Sequence, residues 1–236
     1  MDLAEVASVG GFFALRTEAP DGAHVPLARI YAGEDAPLAF RVEKVAGRLQ
    51  APERRVAASI AHLGLAARLW SVALGPAALY GEFLDLPAFD LHWDADLSSP
   101  DDLWLAAPRT LPGTADRIRE VVQTGHLVPL ADALRKGGAI SPALLWGNAG
   151  SALAGAAREL HTWARKNGRP EVGERALRLA AELLRHPDLR STGTLRGAAF
   201  RRRSCCLYYR CPSGGLCGDC VFGRPPSRSS AQPGSE

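Results

Sequence analysis

The chain has 236 residues, 47% of them apolar, enough to bury one substantial core or one core with a small appendage. Its formal charge of +3 is unevenly spread: residues 196–224 hold six arginines against one acid, Asp219, and the rest is slightly acidic. No apolar run reaches the roughly 20 residues of a membrane span (Ala143–Leu160 comes nearest but carries Asn148, Arg158 and Glu159), and the opening Met1-Asp2-Leu3-Ala4-Glu5 is acidic where a secretory signal is basic; a soluble cytoplasmic protein is expected.

In chain order, residues 10–32 read as strand-prone and irregular, with Asp21-Gly22 between apolar stretches as a hairpin signal. A helix is expected to open near Pro52-Glu53, with Val56, Ile60, Leu63, Ala67 and Trp70 on one apolar face, and to end at Gly75-Pro76. Phe83–Leu86, Leu91–Trp93 and Leu103–Ala106 read as strands, the last two separated by a turn at Ser98–Asp102. From Ala115 the pattern is helical. Ser141-Pro142 is a cap followed by a first-turn proline and predicts a helix to about Arg165, whose small residues (Gly147, Ala149, Gly150, Ser151, Ala152, Ala154) allow a neighbour to approach closely. Glu171–Arg185 predicts another helix, stopped by Pro187. The whole reads as an α+β protein: a mostly helical body with a small antiparallel β-sheet over residues 1–200, a loop-rich segment over 201–222, and a Pro/Ser/Gly tail over 223–236 expected to be disordered.

All five cysteines follow Ser204, and four of them form Cys205-Cys206-x10-Cys217-x2-Cys220. Thiolates are soft ligands that suit iron–sulfur clusters, zinc or copper(I). Three readings compete. Disulfides are disfavoured by the odd count, the length of the chain and the lack of a secretory signal. Structural zinc normally takes two Cys-x2-Cys knuckles, and only Cys217–Cys220 has that shape. A [2Fe–2S] cluster, with Cys217 and Cys220 on one iron and the adjacent pair reaching the other, is the reading we favour. Cys211 lies outside the motif, as a bystander or a substitute ligand.

The spacing, set in Arg202-Arg203-Ser204-Cys205-Cys206-Leu207-Tyr208-Tyr209-Arg210 and Gly218-Asp219-Cys220, resembles the C-terminal signature of FhuF-like ferric siderophore reductases. Leu145–Leu153 and Arg55–Ser59 are also similar to segments of that family. The resemblance implies that Cys205, Cys206, Cys217 and Cys220 bind a [2Fe–2S] cluster. It further implies one-electron reduction of Fe(III) in a ferric siderophore to Fe(II). Arg201, Arg202, Arg203 and Arg210 are then expected to tune the cluster or steer the substrate, since positive charge favours the more negative reduced form.

No Gly-x-Gly-x-x-Gly or Walker loop is present, so electrons are expected from an external donor such as a ferredoxin or a reductase, and no nucleic-acid partner is expected. His24, His62, His92, His126, His161 and His186 are scattered without ligand spacing. Asp85, Asp90, Asp94 and Asp96 read as strand or turn solvation rather than a carboxylate site. Trp146 and Asn148, in the middle of a predicted helix, are candidates for contact with substrate or a neighbouring loop. The rival functions are a non-enzymatic iron–sulfur electron carrier or sensor, and a zinc-stabilised interaction module.

Overall fold

The structure is a computed structural model that describes residues 1–18 and 24–226. Its helices are α1 (Leu3–Ser8), α2 (Leu27–Tyr31), α3 (Ala36–Leu49), α4 (Arg54–Tyr80), α5 (Ala115–Ile118), α6 (Val128–Lys136), α7 (Pro142–Lys166), α8 (Pro170–Leu184) and α9 (Pro187–Arg190), with a wide-turn π-helical stretch, Arg119–Leu127, joining α5 to α6. The strands are β1 (Val25–Pro26), β2 (Glu82–Leu84), β3 (Leu91–Trp93), β4 (Leu103–Leu105), β5 (Thr110–Pro112), β6 (Gly193–Arg196) and β7 (Ala199–Arg202). They pair antiparallel in three small sheets, β1-β3-β4, β2-β5 and β6-β7. The α+β class expected from the sequence is what is found, with three small sheets in place of one.

The core is built on α4, which packs against α7, α3 and α8. Apolar residues run all round α4, so it has no solvent face to give up; Ala57, Ala66, Leu69, Trp70, Ala73 and Leu74 are fully buried. This helix is long and apolar enough to cross a membrane, unlike the Ala143–Leu160 stretch that the sequence brings forward, but 78% of its apolar window is buried inside the protein. It is the central core helix.

Three expectations need correction. First, α4 does not stop at Gly75-Pro76 but continues to Tyr80, closing at Gly81 in the left-handed conformation, φ 76°. Pro76 forfeits one helical N–H at a cost of about 3 kcal/mol. Burial of Leu74, Ala77, Ala78 and Leu79 offsets it at about 25 cal/mol per Å². Gly75 belongs to this packing, since a Cβ there would sit 2.8 Å from Phe13 Cδ1. Second, Gly11–Phe13 forms a 3₁₀ turn rather than a strand. Third, Ala28–Tyr31 is helical within α2, because Leu27 and Ile30 bury one face. The Asp21-Gly22 hairpin and most of the expected tail lie outside the described residues.

The helix expected from Ser141-Pro142 is α7. The Ser141 carbonyl accepts from the Leu144 and Leu145 amides, and its hydroxyl makes no capping bond. The β6-β7 hairpin and α9 then dock on α7 and carry the chain to the cysteines.

Candidate metal centre

None of the five cysteines forms a disulfide, which overturns that reading. The Cys206 sulfur is in hydrogen-bond contact with those of Cys205 and Cys217. The Cys206 thiol is held far below its ordinary range, at about 2, by hydrogen bonds from Cys205 and then Cys217. The same contacts, followed by burial, push the Cys205 and Cys217 thiols up. Cys220 lies within electrostatic reach of Cys205. Sulfurs this close cannot all ionise unless cationic metal joins them. Among the described residues no group of three or more His, Cys, Asp or Glu converges as the donors of a single ion do.

The backbone supplies a donor to each sulfur. The Leu207 amide lies 3.2 Å from Cys205 Sγ and the Phe222 amide 3.4 Å from Cys220 Sγ. The Tyr208 and Asp219 amides bond Cys206 and Cys217. In every case the donor is two residues after the cysteine. Between the two adjacent cysteines and Tyr208, Leu207 takes a left-handed backbone, φ 69°, so the chain turns sharply where the Leu207 amide meets Cys205 and the Tyr208 amide meets Cys206. That conformation costs a leucine roughly 1–2 kcal/mol, strain of the kind retained at functional sites.

Two side-chain networks tie the segment to the body, both anchored on α7. In the first, Arg202 is fully buried and makes no ion pair with a carboxylate among the described residues. Its Nη2 donates to Asn148 Oδ1 at 2.6 Å and its Nε to the Ser204 carbonyl at 3.0 Å. Asn148 Nδ2 donates to the Ser59 carbonyl at 2.8 Å, and Ser59 Oγ donates to the Cys206 carbonyl at 2.8 Å. In the second, Asp219 is buried inside the Cys217–Cys220 turn. It accepts from Ser151 Oγ at 2.5 Å and pairs with Arg158 Nη1 at 3.0 Å. Gly147, Ser151 and Arg158 share one stripe of α7. A Cβ at Gly147 would meet Ser204 Oγ at 2.0 Å, and one at Gly150 would meet Thr192 Oγ1 at 2.3 Å. The close approach that the small residues of this helix predict is therefore made by the cysteine segment and the hairpin leading into it.

Arg202 Nη1, Ser204 Oγ and His62 Nδ1 are buried without a hydrogen-bond partner. Arg202 bears electrostatically on Cys206 and Cys217, and on His62, whose pKa is lowered to about 3 by burial first and by Arg202 second. Orphan donors beside a set of thiols suit the sulfide and thiolate acceptors of a cluster. The donor set and its surroundings thus fit a [2Fe–2S] group.

Comparison with known proteins agrees. Residues 202–222 match the FhuF 2Fe-2S C-terminal domain. The cysteine segment is FhuF-like. The match indicates a [2Fe–2S] cluster rather than zinc. No curated protein is significantly similar to the chain.

Of the other residues singled out in the sequence, Arg201 and Arg203 are exposed, and Arg210 pairs with Glu53 at the start of α4. Arg196, Arg201 and Arg203 project from one face of the β6-β7 hairpin into an open groove of about 510 Å³ that also reaches Val221, next to Cys220. No carboxylate pairs with these three arginines among the described residues. Trp146 is half-buried against the core. Asn148 is bonded internally, to Ser59 of α4 and to Arg202 of the segment that leads into the cysteines. Cys211 is fully buried in the turn after Tyr208–Arg210. Sequence reading missed Ser59, Ser151, Arg158, Ser204 and Asp219 as supports, because each is an ordinary polar residue until the fold brings it beside the cysteines.

Proposed function

We propose that the protein is a cytoplasmic one-electron reductase of ferric siderophores, with Cys205, Cys206, Cys217 and Cys220 as the ligands of its [2Fe–2S] cluster. The observation that carries this reading is the FhuF 2Fe-2S match over the same residues whose thiols and amides gather at one place. When bound, the cluster supplies one electron to Fe(III), and oxygen-donor chelators hold the resulting Fe(II) far less well. The chain's own task is to hold and tune. The four amides and Arg202 stabilise negative charge on the sulfurs, and α7 fixes both halves of the motif through Asn148 and Ser151. The arginine-lined groove of the β6-β7 hairpin faces solvent beside Cys220 and suits an anionic ferric chelate or the acidic face of a donor protein. No side chain needs to move a proton for outer-sphere electron transfer. With no nucleotide-binding motif in the chain, the donor is a ferredoxin or a separate reductase.

The test is the visible spectrum of anaerobically purified protein before and after dithionite, with iron and sulfide assayed per chain and Fe(II) trapped during turnover of a ferric trihydroxamate. Cys217→Ser is expected to abolish both colour and iron release, while Cys211→Ala keeps the spectrum. A coloured, fully active Cys217→Ser variant would refute the ligand assignment. Electron exchange with a protein partner but with no ferric chelate would favour the carrier reading.

A further inference from the structure

The β6-β7 hairpin has two unlike faces. Its register sets Thr194 opposite Arg201 and Arg196 opposite Ala199, and residues along each strand alternate sides. Phe200 and Arg202 turn inward against the small residues of α7, while Thr194, Arg196, Ala199 and Arg201 turn out to solvent. Arg203 extends the outer row past β7, its amide donating to the Thr192 carbonyl at 2.8 Å. The three outer arginines line an open groove of about 510 Å³, together with Val221, which follows Cys220 in the chain. From Ala199, opposite Arg196, to Arg203 the row extends about 14 Å at 3.4 Å per residue.

Like charges set along one sheet face repel and weaken the pairing beneath them. Several exposed arginines elsewhere are relieved by carboxylates, as Arg29 is by Glu34, Arg109 by Asp85 and Arg117 by Glu120. In the groove that relief is missing. Among the described residues Arg196 and Arg203 make no side-chain hydrogen bond or ion pair, and Arg201 gives only Nη2, to the Val221 carbonyl at 3.2 Å. The remaining guanidinium donors are exposed, so their acceptors come from outside the chain. A guanidinium fork matches a carboxylate in shape as well as charge. The volume lies within the range of small-molecule sites, and Ala199 and Val221 give apolar surface between the charges.

We propose that this groove selects ferric chelates that carry free carboxylates and a net negative charge, held by Arg196, Arg201 and Arg203 against Val221. The inference rests on the reductase reading for the ligand being a metal chelate, and adds the charge class that the site prefers. An acidic donor protein is the competing occupant. A concave groove of this size suits the small chelate better than a broad protein face.

The probes are gallium(III) complexes of desferrioxamine B, in which three hydroxamates cancel the metal charge and the pendant amine sets the total. The free ammonium leaves one positive charge, acetylation leaves none, and succinylation leaves one negative charge on the same chelate body. They are titrated calorimetrically into the full chain carrying its oxidised cluster. Saturable one-to-one binding is expected, tightest for the succinyl complex and about three- to tenfold weaker at each step towards positive charge. The spread should shrink in about 0.5 M salt. Arg196→Gln with Arg203→Gln is expected to melt as the wild type, because neither side chain bonds anything, and to reduce each step to about twofold or less. Arg48→Gln, which removes the same charge from α3 outside the groove, should leave the steps intact. Equal affinity for the three complexes, undiminished steps in the double variant, or free succinate binding as tightly as its complex would each overturn the proposal. Gallium(III) takes no electron here, so binding is read apart from reduction. Fe(II) release from the ferric counterparts without a charge order in binding leaves the reductase standing and removes this inference. Charge-ordered binding without Fe(II) release keeps the groove's selectivity and removes the reductase.

Discussion

Gly214 offers the sharpest test of how the ten-residue spacer returns Cys217 to Cys206. Its backbone passes so close to the Tyr208–Arg210 turn that an added Cβ would lie 2.0 Å from the Tyr208 carbonyl oxygen, 3.0 Å from its carbon and 3.1 Å from the Cys211 carbonyl oxygen. Ordinary contact starts near 3.4 Å, so Gly214→Ala must part the two strands of the loop by about 1.4 Å. The obstacle is backbone and cannot rotate aside. Overpacking of this kind costs about 1–3 kcal/mol, and the Gly214 N–H to Cys211 carbonyl bond, 2.9 Å, is worth about 1 kcal/mol more if lost. Restricting the unfolded chain returns about 0.5–1 kcal/mol. The net loss of about 2–3 kcal/mol corresponds to a roughly 30- to 150-fold rise in the open fraction of the loop.

Iron loss to a strong Fe(II) chelator after dithionite reduction reads that fraction, because a chelator reaches the metal only when the loop lets go. Gly214→Ala is expected to release iron faster by the factor above, or to purify with much less iron and sulfide. Gly215→Ala and Gly218→Ala are the internal controls: neither position has a neighbour within 4 Å of a Cβ and neither needs a positive φ. Both should match the wild-type rate within a few-fold. A Gly214→Ala protein that holds its iron as well as Gly215→Ala would refute the claim that this close approach sets the position of Cys217.

Two further outcomes are expected. Arg202→Gln removes a buried cation beside Cys206 and Cys217, so the reduced cluster loses stabilisation and the midpoint potential falls by several tens of mV, where about 59 mV is tenfold for one electron; spectroelectrochemistry should show a much smaller shift for the exposed Arg201→Gln, and equal shifts would contradict the special place given to Arg202. His126 is buried between the Tyr31 hydroxyl, 3.0 Å from Nδ1, and the Leu86 carbonyl, 2.6 Å from Nε2, and burial lowers its pKa to about 4. Its unfolded value is near 6.5, so the unfolded chain takes up the proton first: this contribution to stability is complete above pH 6.5 and is lost between about 6.5 and 4, at up to about 1.4 kcal/mol per pH unit. Urea titrations at pH 7.5 and 5 should therefore show a slope that His126→Gln reduces by close to one proton.

The parts of this protein that were legible in the sequence are those whose signal is local. The Cys205-Cys206-x10-Cys217-x2-Cys220 spacing names its chemistry by ligand type, and Ser141-Pro142 fixes the start of α7 because a first-turn proline needs no N–H. Phe83, Leu91 and Leu103 sit in short strands, as their alternation suggests. What failed was decided by tertiary packing. Gly75-Pro76 is a valid stop signal on an isolated helix, and it is overruled only because Phe13 and the surrounding core close over that turn. Helix α3 escaped notice because its face packs on α4 with few large side chains, Leu38 and Val42 alone being buried.

The same distinction separates the arginines. Sequence treats Arg201, Arg202 and Arg203 as one basic run, yet the two-residue period of β7 sends Arg202 inward and its neighbours to solvent. A lone buried guanidinium is costly, and among the described residues Arg202 makes no ion pair with a carboxylate. What stands beside it instead is the amide of Asn148, the Ser204 carbonyl and the sulfurs of Cys206 and Cys217. An oxidised [2Fe–2S] cluster with four thiolates carries a double negative charge, and a triple one after reduction. On the proposed reading, Arg202 would be the partner charge of such a cluster. Its burial and the anionic character of the cluster stabilise each other, so loading the cluster and docking the segment on α7 should be one cooperative event.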